Sequence, residues 1–240
     1  MSGRIKKLAM AVRRTPLHPQ WFSYLYEDRN LRKTCASLDG IVLDVGSAEA
    51  RPRRFMPPAV NYIALAYFST ATEWYGTRPD LYGDAQSLPL QDDSIDHVLL
   101  LDVLEHLPNP HQSLAELHRV LKPGGSLTIQ VPFLYPLHDE PLDFHRWTRH
   151  GLRQSAAQHG YNVAAEFAIG HPLESAALNA NIATSKTVLN WARSWNPLVI
   201  LGLLLPLIVL FTNCAAWGLT RLSRDDDFMP HAYRIVWIKN

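Results

Sequence analysis

Residues Asp96–Pro132 read DHVLLLDVLEHLPNPHQSLAELHRVLKPGGSLTIQVP. The run DHVLLL, Asp96–Leu101, has the length and continuous apolar character of a strand buried on both faces, and it is followed by Asp102. From about Pro110 to Leu121, the apolar residues Leu114, Leu117, Val120 and Leu121 recur at helical spacing and predict one buried face. Proline at the first position and Lys122-Pro123-Gly124-Gly125 at the end are helix start and stop signals. SLTIQV, Ser126–Val131, then reads as a further strand. Strand, crossover helix and strand in this order form the unit of a parallel sheet.

The same alternation extends outward in both directions. IVLDV (Ile41–Val45), VNYIALA (Val60–Ala66) and a brief Leu81–Gly83 are expected strands on the N-terminal side. Thr148 is placed to cap a helix running to His159 and stopped by Gly160. Tyr161–Ile169 and Tyr233–Ile238 complete the strands. In an open parallel sheet, ligands bind beyond the carboxyl ends of the strands. Asp44-Val45-Gly46-Ser47, Asp84-Ala85 and Asp102-Val103 fall at those ends. Their carboxylates suit an amine, a ribose or an adenine amino group, and Gly46 would let the backbone approach a ligand at the start of the next helix. Taken singly, each Asp reads equally as a cap or a solvated turn.

Composition narrows the partners. Twenty-three Lys plus Arg against 22 Asp plus Glu leave a net charge of +1 over 240 residues, which excludes a generally basic nucleic-acid wrapper. At 47% hydrophobic and 19% charged residues the chain is globular. Two distant cysteines, Cys35 and Cys214, make neither a disulfide framework nor a cysteine metal site, and fit a reducing compartment.

Three stretches together resemble the class I S-adenosylmethionine (AdoMet)-dependent methyltransferases of the type 11 kind. They are IVLDVGSAEA (Ile41–Ala50), YGDAQSLPLQDDSIDHVLLLDVLEHLPNP (Tyr82–Pro110) and LAELHRVLKPGGSLTIQVPF (Leu114–Phe133). The resemblance implies a Rossmann-like, mostly parallel seven-stranded sheet with helices on both faces, whose last two strands form an antiparallel hairpin. It implies AdoMet as cofactor: Asp44, Gly46 and Ser47 at its methionine end, Asp84 and Ala85 at the adenine, and Asp102, Val103 and His106 beside the sulfonium. Two departures stand out. Ser47, Ala48, Glu49 and Ala50 replace the later glycines of the loop, and Ala66 stands where the second strand usually ends in a ribose-binding carboxylate. An NAD-binding Rossmann protein is a poorer match, since the loop lacks G-x-G-x-x-G.

FLYPLHDEPLDFHRWTR (Phe133–Arg149) crowds titratable and aromatic groups beside the expected ligand edge. It matches a pattern kept by some bacterial members of the family. Methyl transfer to a hydroxyl or amine needs a base. The expected catalytic set is His138 as base with Asp143 or His145 as its orienter. Tyr135 and Arg146 are expected to contact substrate, although His145 and Arg146 equally suit a structural pair. His138, Asp139, Glu140, Asp143 and His145 do not have a recognised metal-ligand spacing, so no metal is expected.

Pro197–Leu219, PLVILGLLLPLIVLFTNCAAWGL, contains no charge and is long enough to reach across a bilayer core. Met1–Arg14 is basic and reads as a surface helix or a solvated arm. The expected organisation is an N-terminal extension (1–39), a methyltransferase domain (40–170 and 228–240) and an apolar helical insertion (171–227). Because the insertion joins neighbouring strands, both its ends must return to one side of a membrane. The consistent expectation is a monotopic helix bent at Pro206, on the cytoplasmic face; a buried core helix or an oligomer contact is the alternative. The functional expectation is a membrane-associated methyltransferase with a small-molecule, lipid-linked or envelope acceptor and no nucleic-acid partner; the alternative is a non-catalytic methyltransferase-like scaffold.

Overall fold

The computed structural model describes residues 11–47 and 49–240, so most of the basic N-terminal stretch, and Ala48, lie outside the described residues. The chain divides into two compact units. The larger comprises Asn30–Phe133, Leu137–Ala168 and Ala232–Asn240; the smaller comprises residues up to Arg29, Leu134–Pro136 and Ile169–His231.

The larger unit holds a seven-stranded sheet of order β3-β2-β1-β4-β5-β7-β6. Its strands are β1 (Ile41–Val45), β2 (Asn61–Ala66), β3 (Leu81–Tyr82), β4 (Ile95–Leu101), β5 (Leu121–Pro132), β6 (Tyr161–Ile169) and β7 (Ala232–Lys239). β3-β2-β1-β4-β5 is parallel throughout, and β7 returns antiparallel to β5. The expected Rossmann-like architecture, with its antiparallel end, is the one observed.

Alternation along the strands decides what covers each face. Leu43 and Val45 of β1, Val98 and Leu100 of β4 and Leu127, Ile129 and Val131 of β5 face one core. Across that face lie Leu114, Leu117 and Val120 of the crossover helix Pro110–Val120 and Leu152 and Ala156 of the helix Arg149–Gln158. Val42 and Leu99 point the other way, toward Leu38. Asn109 caps the crossover helix through Gln112 N–H (3.4 Å), and Thr148 caps the later one through Gly151 N–H (3.0 Å).

The structure differs from expectation at two points in this unit. Lys122-Pro123-Gly124-Gly125 is not a turn outside the sheet but an excursion within β5: Ile95 pairs with Leu121, and His97 next with Ser126. Gly125 fits there because an added Cβ would lie 2.8 Å from the Lys122 carbonyl and 2.9 Å from that of Asp96. The second difference concerns the segment after Gly46. No α-helix follows it; a five-residue 3-10 turn, Arg51–Phe55, leads to Pro57 and Pro58. Three prolines in eight residues (Pro52, Pro57, Pro58) deny an α-helix its backbone donors.

The smaller unit is helical. Trp21 and Phe22, from the short helix Trp21–Leu25, pack with Ala177 of the helix Pro172–Arg193 and Ala216 of the helix Leu205–Thr220. The apolar run is a 3-10 helix over Pro197–Leu204 continuing as α-helix from Leu205. Pro206 therefore lies in the first α-helical turn, where its missing N–H is tolerated, rather than breaking a helix midway.

Gly46 ties the larger unit to its ligand edge. It has φ +76°, and an added Cβ would lie 2.4 Å from Val103 Cγ2. Gly46→Ala should lower stability by about 2 kcal/mol or more through left-handed strain and overlap. Thermal melts check this: Val103→Ala in the same chain should recover the overlap part and leave the backbone part.

Candidate active site

A cavity of about 330 Å³ opens at the carboxyl ends of β1, β2 and β4. Val45 and Gly46 come from the end of β1, Leu65 and Ala66 from β2, and Asp102 and Val103 from just past β4. Gly83, Asp84, Ala85 and Gln86 form a second wall; Thr70, Ala71, Trp74 and Tyr75 form a third. That third wall is a π-helical turn, Thr70–Tyr75, ended by Gly76 in the left-handed region. Three residues of the lining bear carboxylates, Asp84, Asp102 and Asp139, and among the described lining residues there is no Lys or Arg.

Each carboxylate is held by its own segment. Asp84 accepts Gln86 N–H at 2.8 Å, a local turn that keeps the side chain at the strand end. Asp102 sits at φ +55° and accepts Gln130 Nε2 at 2.7 Å. Gln130 in turn accepts from Arg234, which also donates to Thr34 Oγ1 at 2.8 Å. Asp139, at φ +48°, accepts the Tyr75 hydroxyl at 3.2 Å. The loop after Asp84 is pinned by Arg119, which donates to the carbonyls of Leu88 (3.0 Å) and Leu90 (2.9 Å).

The expected cofactor residues separate into two groups. Gly46, Asp84, Ala85, Asp102, Val103 and His106 all line the cavity. Asp44 and Ser47 do not: Asp44 faces Tyr62, whose hydroxyl donates to its carboxylate, and Ser47 Oγ lies 3.2 Å from the same hydroxyl. The reason is parity, since Asp44 lies on the opposite face of β1 from Leu43 and Val45. Ala66 lines the cavity, so no carboxylate extends from the end of β2.

The segment after β5 forms a second cluster beside the cavity. Asp143 accepts both guanidinium arms of Arg146 (2.5 and 2.7 Å) and the backbone N–H of His138 at 3.0 Å. Its Oδ2 lies 3.2 Å from His138 Nδ1. The Arg146 hydrogen bonds hold the Asp143 carboxyl down at about pKa 2, so it stays ionised. His138 and His106 rings meet edge to face, 4.9 Å between centroids. Glu105, wholly buried, completes the group. His145 is not part of it: its ring lies near Phe144 and Trp147. Tyr135 belongs to the smaller unit, where Gln20 Nε2 donates to its hydroxyl at 2.5 Å. Sequence reasoning placed His106 beside the sulfonium, noticed Glu105 only as part of a motif, weighed Asp139 only as a metal ligand, and missed the π-turn aromatics Trp74 and Tyr75. The loops bring these together across 30 or more positions, beyond the reach of periodicity.

Buried Asp44 makes its own prediction. Burial pushes its carboxyl up to about pKa 6, against the lowering effect of Tyr62, Ser47 and Arg53. Between about pH 4, where the unfolded carboxyl titrates, and pH 6, the native state keeps a proton that the unfolded chain has lost. Stability therefore falls as pH rises through that window, by about 3 kcal/mol. Asp44→Asn lacks this loss, so melting curves should show its Tm gaining several degrees on the wild type between pH 4 and pH 7.5.

Comparison with known proteins agrees with the geometry. A family model described as a methyltransferase domain matches residues 43–129. An uncharacterized methyltransferase of Mycobacterium ulcerans is 26% identical over 190 residues, 70% of this chain and 69% of its own length. A Mycobacterium bovis methyltransferase is 43% identical over 95 residues, 37% of each chain. A demethylmenaquinone methyltransferase of Staphylococcus epidermidis is 47% identical over 45 residues, 19% of each. Coverage of these relatives is uneven, and the chain spans 59% of a Mycobacterium leprae methyltransferase. Among solved structures, the MccD protein matches with TM-score 0.52 at 16% identity, covering 90% of this chain and 97% of that one. The cyclase SpnF matches with TM-score 0.51 at 17% identity, covering 89% and 80%. These structural matches show the shared fold. The family model over residues 43–129 and the relatives make this chain similar to the class I AdoMet-dependent methyltransferases, and the strand-end cavity agrees with that likeness.

Proposed function

We propose that the larger unit binds AdoMet in the strand-end cavity and methylates a lipid-linked or isoprenoid-type acceptor at the cytoplasmic face of a membrane. The observation that carries the first half is the charge of the cavity. Three carboxylate-bearing residues, the aromatic residues Trp74 and Tyr75 and no Lys or Arg among the described lining residues suit a cation attached to a planar base. A dinucleotide pyrophosphate would meet the wrong sign, with no α-helix N-terminus after Gly46 to receive it.

When bound, AdoMet supplies an electrophilic methyl group on a sulfonium. Asp84 and Ala85 would hold the adenine end, and Asp102, Val103 and His106 the sulfonium end. Gly46 lets the backbone of the first loop form that edge. His138 is assigned to the acceptor side. With Nδ1–H donated to ionised Asp143, the neutral ring carries its lone pair on Nε2, which can accept a proton or a cation. Arg146 is fixed by Asp143 and keeps that carboxylate in place; we assign it this support together with any contact to an anionic acceptor group. Nothing in the comparisons favours a non-catalytic scaffold.

The membrane half rests on the smaller unit. Pro197–Thr220 is 24 residues long, and little of it is buried. Leu203, Leu207 and Phe211 are 73%, 64% and 76% exposed, which a soluble core helix would not allow. Its most polar side chain, Asn213, turns inward instead: it accepts Asn181 Nδ2 at 2.9 Å and donates to the Pro16 carbonyl at 2.8 Å. The Arg221 guanidinium lies 3.3 Å from the Trp217 ring centroid, an aromatic–cation pair suited to the interface. The strands flanking the insertion, β6 and β7, are neighbours in the sheet, so both ends return to one side. The demethylmenaquinone relative acts on an acceptor of the class we propose.

Titration calorimetry tests the cofactor. AdoMet should bind, and Asp84→Ala should weaken it tenfold or more; no heat at millimolar AdoMet would overturn the proposal. Ala66→Asp restores a carboxylate to the end of β2. Each charge-assisted hydrogen bond is worth about 1.5–3 kcal/mol, so affinity should rise about tenfold after the cost of burying the group. Flotation with anionic vesicles tests the surface: the wild type should float, and Leu203→Ser/Leu207→Ser/Phe211→Ser should stay with the soluble fraction while keeping its AdoMet affinity.

A further inference from the structure

Glu105, His106 and His138 present one ligand atom each, all within 4.8 Å of one another. The Glu105 side chain is 0% exposed, and neither of its carboxylate oxygens has a hydrogen-bond partner. A buried carboxylate without donors is costly, and such a group calls for a compensating charge. The neighbouring Arg146 guanidinium donates two hydrogen bonds to Asp143 and one to the His145 carbonyl, and its charge also acts on Glu105.

The two histidines face the carboxylate through the same atom. His106 Nε2 lies 3.8 Å and His138 Nε2 3.7 Å from Glu105 Oε1. Both distances exceed a hydrogen bond. The opposite ring nitrogens are engaged by acceptors: His106 Nδ1 lies 2.9 Å from the Leu142 carbonyl, and His138 Nδ1 lies 3.2 Å from Asp143 Oδ2. Each Nδ1 is therefore placed as the N–H donor, and in the neutral tautomer this leaves Nε2 as the electron-pair donor. Two lone pairs and a carboxylate thus converge from distances that leave room for an ion between them. Carbonyl and carboxylate acceptors behind the histidines are the usual outer support of metal-ligating imidazoles.

We propose that Glu105, His106 and His138 form a divalent-metal site beside the cofactor cavity, taking a transition ion such as Zn²⁺ or Mn²⁺. Three protein ligands of the His-His-carboxylate kind leave a further coordination position open, as in catalytic rather than structural sites. His106 also lines the cavity, which puts the ion at its edge. An ion there uses the Nε2 lone pair of His138, so metal binding and a free-base role for His138 exclude each other. The sequence spacing hid this site because Glu105 and His106 come from the turn after β4, whereas His138 comes from the loop after β5.

The test uses the full-length chain, stripped with chelator and titrated with Zn²⁺ and Mn²⁺ without AdoMet, so its result is independent of the methyl-transfer reading. Calorimetry should show one ion per chain for at least one of the two metals. His138→Ala and Glu105→Gln should each weaken that binding roughly 100-fold or more. Circular dichroism identifies any variant that has failed to fold, and His138→Ala, at a partly exposed position, decides the matter should Glu105→Gln be one. Co²⁺ substitution should give visible absorption bands that His138→Ala abolishes. Absence of stoichiometric binding, or binding and bands unchanged in a folded His138→Ala chain, would overturn the proposal.

Discussion

The contact between Gly46 and Val103 sets the geometry on which the site depends. It joins the ends of β1 and β4, and a side chain at position 46 would collide with Val103 at 2.4 Å. Gly46 and Ser47 both donate their backbone N–H to the Leu65 carbonyl (2.8 and 3.1 Å), which joins β2 to the same edge. With three strand ends held level, the turn after β4 carries Asp102 and His106 to the cavity wall. The loop after β5 is fastened there by the Phe144 and His145 backbone donors, which both bond the Glu105 carbonyl.

Buried acids mark the two faces of this edge. Asp44 is satisfied by Tyr62 and Ser47 and retains a raised pKa, so its ionisation at neutral pH costs stability. Glu105 has no such donors. The contrast separates the two. Asp44 is a closed polar network with its donors present, whereas the Glu105 oxygens have no hydrogen-bond donor and lie 3.7–3.8 Å from the Nε2 atoms of His138 and His106.

The smaller unit obeys a different rule. Its apolar run buries Val209, Asn213 and Ala216 and exposes most of its large side chains. Large apolar side chains on the outside are what a soluble helix would bury, and the proposed lipid interface would cover them.

Much of this was legible in the sequence. Period-2 and continuous apolar runs marked the strands, and the spacing of Leu114, Leu117 and Val120 marked the crossover helix, because local backbone geometry dictates which residues share a face. The carboxylates at the strand ends were visible for the same reason. What the sequence could not yield was the destination of each side chain across the sheet. Asp44 and Asp84 look alike as acids near strand ends, yet only Asp84 lines the cavity, because strand parity turns Asp44 toward Tyr62. The absence of a helix after Gly46 followed from three prolines whose joint effect outweighed the pattern of the fold. Glu105, His106 and His138 lie 33 positions apart at their widest, and only the packing of two loops over one strand end brings their ligand atoms within 4.8 Å. Patterning thus determined the elements and their order. Tertiary structure decided which charged groups meet, since that depends on distances between segments that no local periodicity encodes.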